Sequence, residues 1–485
     1  MRFLAVAASI LLPVAALAAP IGYDGSRHLL NRVGFGATDA EIRALANLER
    51  AEAVERILDG ARREASLKPP AFVDAPYTPF VRLAQLPAEE RRREQRRLLD
   101  EALALREWWL REMLATPSPI TERMTLFWHG HFATSQRKVR SAQLMYRQNV
   151  LLRRESLGNF ATLLHAVARD PAMLVYLDNA RSRRGAPNEN LAREVMELFT
   201  LGEGHYGERD VKEAARAFTG FSLDRESGTF VRRVAWHDPG EKAILGKTGH
   251  FDGDDVIDIL LARPETAEFI TAKLWREYVS PNPDEAEVRR LAAVFREGRY
   301  EVKPLARGLL MSDAFWAADN RGTLVKSPVE LVVGTMRVFD MRPIDLRPAV
   351  IACAALGQNP FAPPNVKGWP GGEAWINSAT LLARKRVVER LVGNDERMEA
   401  PAPAMTDMEA GDAGAKGREE RLRRQLERGL AAYRLDWEKW QHAAPEASDV
   451  ERLLLAFAPA YPMPGDVSAV ERARRLASDP VYQLK

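Results

Sequence analysis

The chain has 485 residues, 28% of them charged, with 70 Lys and Arg against 67 Asp and Glu and a net charge of +3. So close a balance gives no electrostatic argument for a nucleic-acid partner, and a single cysteine, Cys353, excludes a disulfide framework. A chain of this length buries enough surface to hold a core without one.

The chain opens with Met1 and Arg2, an apolar run from Phe3 to Leu17, and small residues at Ala16 and Ala18. That pattern predicts a cleavable secretory signal peptide over 1–18, cut after Ala18, and hence a periplasmic or secreted protein. No later stretch is long and apolar enough to span a bilayer. Cys353, in the apolar run Val350 to Ala355, reads as a small buried hydrophobe.

Helical periodicity dominates the rest of the chain. It predicts helices over Asp39–Leu58, between Pro87 and Pro117, and over Ala142–Arg153, Phe160–Arg169, Leu191–Leu201, Val211–Phe218, Asp254–Leu261, Ala267–Tyr278, Asp284–Phe295, Leu305–Met311, Pro328–Phe339 and Ala379–Val392. Only Phe230–Trp236, with Gly220–Leu223, alternates like a hairpin. The expected fold is mainly α, a multi-helical globular domain with at most a short β-hairpin. A main helical domain over 19–393 is followed by a Pro, Ala and Gly-rich linker over 394–417. A C-terminal helical segment over 418–485 completes it, with Leu422, Leu426, Leu430, Tyr433, Trp437 and Trp440 in one stripe that docks on the main body.

Three stretches stand out as places for chemistry. In the first, Arg123 to Ser135, His129 and His131 form a His-X-His pair. In extended backbone its imidazoles share a side and suit a metal, whereas in a helix they diverge and read as hydrogen-bonded residues at a buried helix end. In the second, Pro187 to Gly202, Asn190, Glu194 and Glu197 line one helix face beside an apolar stripe. Carboxylates in that place are paired with an arginine such as Arg123 or Arg193, bind a cation, or act as acid and base; His205 or His237 is placed to join them. The third, Gly357 to Gly372 with Trp375 beyond, is rich in Pro and Gly and reads as an ordered binding loop. Lys367 and Trp369 are its candidate contacts, with Trp369 either stacking on a ligand ring or plugging the core.

The chain resembles the bacterial family called domain of unknown function 1800. The resemblance lies in His28 to Thr38, Phe127 to Phe132, Asn188 to Glu194, His237-Asp238, Lys326 to Glu330, Pro363 to Gly372 and Asp479 to Leu484. It implies an exported, largely helical protein whose neighbour is an exported phosphatase- or sulfatase-like protein, and it implies no catalytic residue. Two functions are expected. One is a metal-assisted hydrolase of an envelope or extracellular substrate, with a divalent metal at His129, His131 and His205 and with Glu194 and Glu197 as catalytic groups. Its alternative is a non-catalytic periplasmic binding or assembly protein that partners the phosphatase- or sulfatase-like neighbour. A third, lower-ranked reading is a metal-free carbohydrate-active enzyme with Glu194 and a second carboxylate as acid and base.

Overall fold

The computed structural model describes residues 19–75, 77, 83, 85–393, 428–430, 432, 433, 435–443, 446 and 449–485. The expected leader at 1–18, the linker at 394–417 and the positions Leu422 and Leu426 lie outside the described residues. Within those residues the protein is mainly α, and its sheets are two antiparallel pairs of three-residue strands. None of the described helices is long and apolar enough to cross a membrane.

The central helices are α1 (Gly22–Val33), α2 (Ala88–Ala115), α3 (Pro119–His131), α4 (Glu189–Met196), α5 (Pro264–Tyr278), α6 (Pro328–Val338) and α7 (Ser378–Val392). The inner half of α2 buries Leu105, Trp108, Trp109 and Met113 at three- and four-residue spacing, with Leu110 widening the buried face, while its outer half is charged and solvated. Helix α6 starts on a capping box, Ser327 with Glu330, and on Pro328 at its first position. Every residue from Pro328 to Arg337 is buried, so α6 is the axis on which the others pack. Where α6 crosses the Phe35–Gly36 turn the backbones meet: a Cβ on Gly334 would collide with the Phe35 carbonyl. In α1, Arg32 donates to the carbonyls of Tyr278 and Val279 at 3.0 and 2.9 Å, so much of the His28 to Thr38 motif serves packing.

Two elements differ from the sequence-based expectation. The helix expected over Asp39–Leu58 is two, Asp39–Ala46 and Arg50–Asp59. Between them Leu48 accepts the Ile21 amide at 2.9 Å and Glu49 bridges Pro20, a tertiary pairing that overrides local periodicity. The expected hairpin is present as β1 (Phe221–Leu223) paired with β2 (Phe230–Arg232), and a second one comes after it, β3 (Lys242–Ile244) with β4 (Lys247–Gly249). Its turn places Leu245 and Gly246 at positive φ, the geometry that reverses a two-residue hairpin, and Leu245 conceals that signal. At the C-terminal side, Trp437 and Trp440 pack on Phe339 with ring centroids 5.7 and 5.3 Å away, and the Tyr433 hydroxyl accepts the Ala349 amide. Cys353 is fully buried, which pushes its thiol pKa far up.

One carboxylate joins three distant parts of the chain. Glu330 of α6, only 4% exposed, pairs with Arg123 of α3 and with Lys485, and its other oxygen accepts the Ser327 amide at 2.8 Å. Arg123 reaches on to Glu277 of α5 at 2.6 Å. The segment at Leu324–Lys326 pairs with the end of the chain: Lys326 donates its amide to Gln483 at 2.8 Å, and Lys485 donates to Leu324 at 2.9 Å. Arg384 of α7 clamps the same join through Gln483 and the Lys326 carbonyl. Burial alone would raise the Glu330 pKa, but the charges of Arg123 and Lys485 outweigh it and hold the carboxyl below its usual range.

Replacing Glu330 with Ala leaves Arg123 and Lys485 buried without their shared anion. The expected loss is about 3–5 kcal/mol of stability, read as a lower midpoint in urea unfolding. A midpoint within error of the parent protein contradicts the assignment.

Candidate functional site

The His-X-His pair lies in the last turn of α3, and the helix sends the two rings apart. His129 Nε2 accepts the Phe361 amide at 3.1 Å, with Trp109, Phe361 and Trp369 around its ring. Burial, helped by Arg106, lowers its pKa to about 3, so it is a neutral structural acceptor that anchors the Pro and Gly-rich loop. His131 faces α4 and α5. Its Nε2 lies 3.3 Å from the Phe199 carbonyl and its Nδ1 lies 3.1 Å from Lys273 Nζ. The ammonium of Lys273 has no acceptor role, so Nδ1 accepts and Nε2 carries the proton that it donates to Phe199. Burial and the neighbouring Lys273 charge keep this imidazole neutral.

The carbonyls that receive these bonds are free because of how α4 ends. After Met196 the helix widens into a π-turn over Glu197–Leu201, with the Thr200 hydroxyl donating to the Val195 carbonyl at 2.6 Å. The Leu198 and Phe199 carbonyls of that turn accept from Lys273 Nζ, at 3.4 Å, and from His131. Such turns are common at functional sites. Among the described residues neither Glu194 nor Glu197 pairs with arginine. Arg123 goes to Glu277 and Glu330, and Arg193 goes to Glu189 and Glu208. Glu197 accepts the Tyr206 hydroxyl. Glu194 is half-buried, and burial together with the Glu197 charge raises its pKa to about 7, against partial relief from Arg193 and Lys367.

Between α3, α5, α6 and the loop at Lys367–Trp375 lies a cleft of about 350 Å³. Its wall carries the side chains of Arg123, Lys273, Arg276, Lys367 and Lys485 against two carboxylates, Glu277 and Glu330. Those two are already taken by Arg123 and Lys485. Among the described residues Lys273 and Arg276 have no carboxylate partner, and the exposed Lys367 reaches only the rim residue Glu203, at 3.4 Å. Burial lowers the Lys273 pKa to about 8, with the Arg276 charge acting in the same direction. Half-buried Trp369 and buried Trp375 supply the aromatic side of the cleft. The loop is locked by a close approach of two glycines: Gly368 has φ +82°, and a Cβ there would strike the Gly130 carbonyl.

The structure thus gathers Arg123, His131, Lys367 and Trp369 at one cleft, with His129 behind the loop as its anchor. Glu194 is linked to that cleft through the charge of Lys367, while Asn190 stands exposed on α4 and does not line it. His205 is exposed near Glu265, and His237 binds the Thr219 carbonyl beside β1. Among the described residues no group of three or more His, Cys, Asp or Glu converges as a metal site requires, so His129, His131 and His205 form no common donor set. Lys273, Arg276 and Glu277 were hidden within an ordinary-looking helix, although their i, i+3, i+4 spacing puts them on one face.

Fold and cleft together define a mainly helical protein with a cationic, aromatic-walled cleft closed by a Pro and Gly-rich loop. The chain belongs to the family described as Protein of unknown function (DUF1800), whose profile matches residues 28–472. No curated protein and no solved structure matches it.

The raised pKa of Glu194 has a signed consequence. Between the ordinary carboxylate range and about pH 7 the folded state keeps a proton that the unfolded chain has lost, so stability falls as pH rises through that window and levels off above it. Glu194→Gln is therefore expected to gain in melting temperature relative to the parent between pH 5 and pH 8. A constant difference across that range contradicts the assignment.

Proposed function

We propose that this protein is an exported binding protein for an anionic ligand that carries a ring or other flat group. The single observation behind this reading is the surplus of cation in the cleft: Lys273, Arg276 and Lys367 face it while its two carboxylates are spent on Arg123 and Lys485. Lys273 and Arg276, without a carboxylate partner among the described residues, favour an incoming anion in this partly desolvated cleft, and Trp369 with Trp375 offers ring contacts beside it. Export is supported by the pattern of 1–18, and an envelope location makes a phosphorylated, sulfated or carboxylated sugar the natural class of ligand. The metal-assisted reading gains no support from His129 and His131, whose rings serve separate hydrogen bonds. Docking to a phosphatase- or sulfatase-like neighbour is compatible with a protein that presents such a ligand.

The test is a tryptophan-fluorescence titration with phosphate, sulfate, glucuronate and glucose 6-phosphate, with glucose as the neutral control. Saturable changes are expected with the anionic ligands, strongest where ring and anion are combined, and weakening with salt. Lys367→Ala should weaken them about fivefold, the worth of a partly exposed charge contact of about 1 kcal/mol. No saturable change with any anion, or an equal response to glucose, sinks the reading. Export is checked separately by N-terminal sequencing of protein from its native host, where a mature start at Ala19 is expected and a retained Met1 contradicts it.

A further inference from the structure

We infer that Lys273 is a nucleophilic amine that captures an anionic carbonyl compound in the cleft as an imine. This rests on the anionic-ligand reading of the same cleft.

Three lysines reach the cleft, and their surroundings differ. Lys485 is bound to Glu330, and Lys367 stands exposed at the rim beside Glu203. Lys273 projects from α5 beneath the loop, with the Phe269 ring centroid 4.7 Å from its Nζ and no carboxylate paired with it among the described residues. Two acceptors meet it, His131 Nδ1 at 3.1 Å and the Leu198 carbonyl at 3.4 Å. A neutral amine has two N–H groups and one lone pair, so two acceptors satisfy its donors and leave the lone pair for the cleft. Lys273 rests as the ammonium that meets the ligand's anion and reacts through its neutral fraction, which burial enlarges by lowering the pKa to about 8. Low basicity alone does not single out Lys273, since burial also lowers the pKa of Lys326 to about 7 and of Lys485 to about 8. Those two amines are engaged by the Tyr482 carbonyl and Glu330, whereas that of Lys273 borders open space.

The step balances without a redox partner. The Nζ lone pair forms a bond to the carbonyl carbon, the C=O π pair moves to oxygen, and a proton leaves nitrogen through His131 Nδ1 to that oxygen, giving a carbinolamine. Loss of the hydroxyl with a second proton from nitrogen yields the imine and one water. Arg276 and Lys367 hold the anionic group, and the tryptophans hold the ring.

Pyridoxal 5′-phosphate combines aldehyde, ring and phosphate and serves as the probe. The unaltered protein is mixed with one equivalent at pH 7.5, reduced with borohydride, and mapped by mass spectrometry. Labelling at Lys273 is expected to exceed that at Lys303 and Lys439, which are ion-paired with Asp59 and Asp340, by at least about tenfold. It is expected to fall when phosphate is added in excess. Lys273→Arg keeps the cation, so fluorescence quenching by the probe should persist while the reduced adduct disappears. Quenching without a Lys273 adduct, or label spread evenly over surface lysines, overturns the amine role and leaves the anion cleft standing. Absence of both quenching and adduct overturns the two readings together.

Discussion

The shared use of Glu330 by Arg123 and Lys485 is the constraint on which the rest of the structure depends. Taking a carboxylate, a guanidinium and an ammonium out of water is costly, and the arrangement persists only because each finds its partner in place. Those partners come from α3, α6 and the end of the chain, so the network forms only when all three are docked. The capping box at Ser327 uses the same carboxylate to start α6, and local helix formation and global closure are therefore one event. Arg384 and Gln483 extend the join to α7.

That network also decides what the cleft is. By consuming Glu277 and Glu330 internally, it leaves Lys273 and Arg276 of α5 facing that space without a carboxylate partner among the described residues. The fixed position of α3 then determines the rest. His129 anchors the loop from behind, Gly130 lets Gly368 approach, and His131 turns to the carbonyls freed by the π-turn after α4. Three elements that look unrelated along the chain are thus parts of one wall.

Much of this was legible from residue order alone. The mainly α fold followed from three- and four-residue spacing, and the helix expected from Pro328 starts there. The two readings of His129 and His131 turned on whether the backbone is helical there, and α3 supplies the answer. Less legible was anything set by pairing across distance. The break at Asn47–Glu49 comes from a bridge to Pro20, and the second hairpin turns at Leu245, a residue that gives no turn signal. The π-turn at Glu197–Leu201 keeps the apolar spacing of an ordinary helix, so its freed carbonyls leave no trace in periodicity. Lys273 and Arg276 read as solvated positions on an amphipathic helix because nothing local shows that a loop far later in the chain folds over them.

The most direct measurement of the cleft's character is an X-ray difference map from crystals soaked in tungstate, a heavy tetrahedral dianion. A cleft with surplus cation predicts a strong peak between Lys273, Arg276 and Lys367 beside Trp369. Peaks confined to surface arginines, with that cleft holding only ordered water, would contradict it.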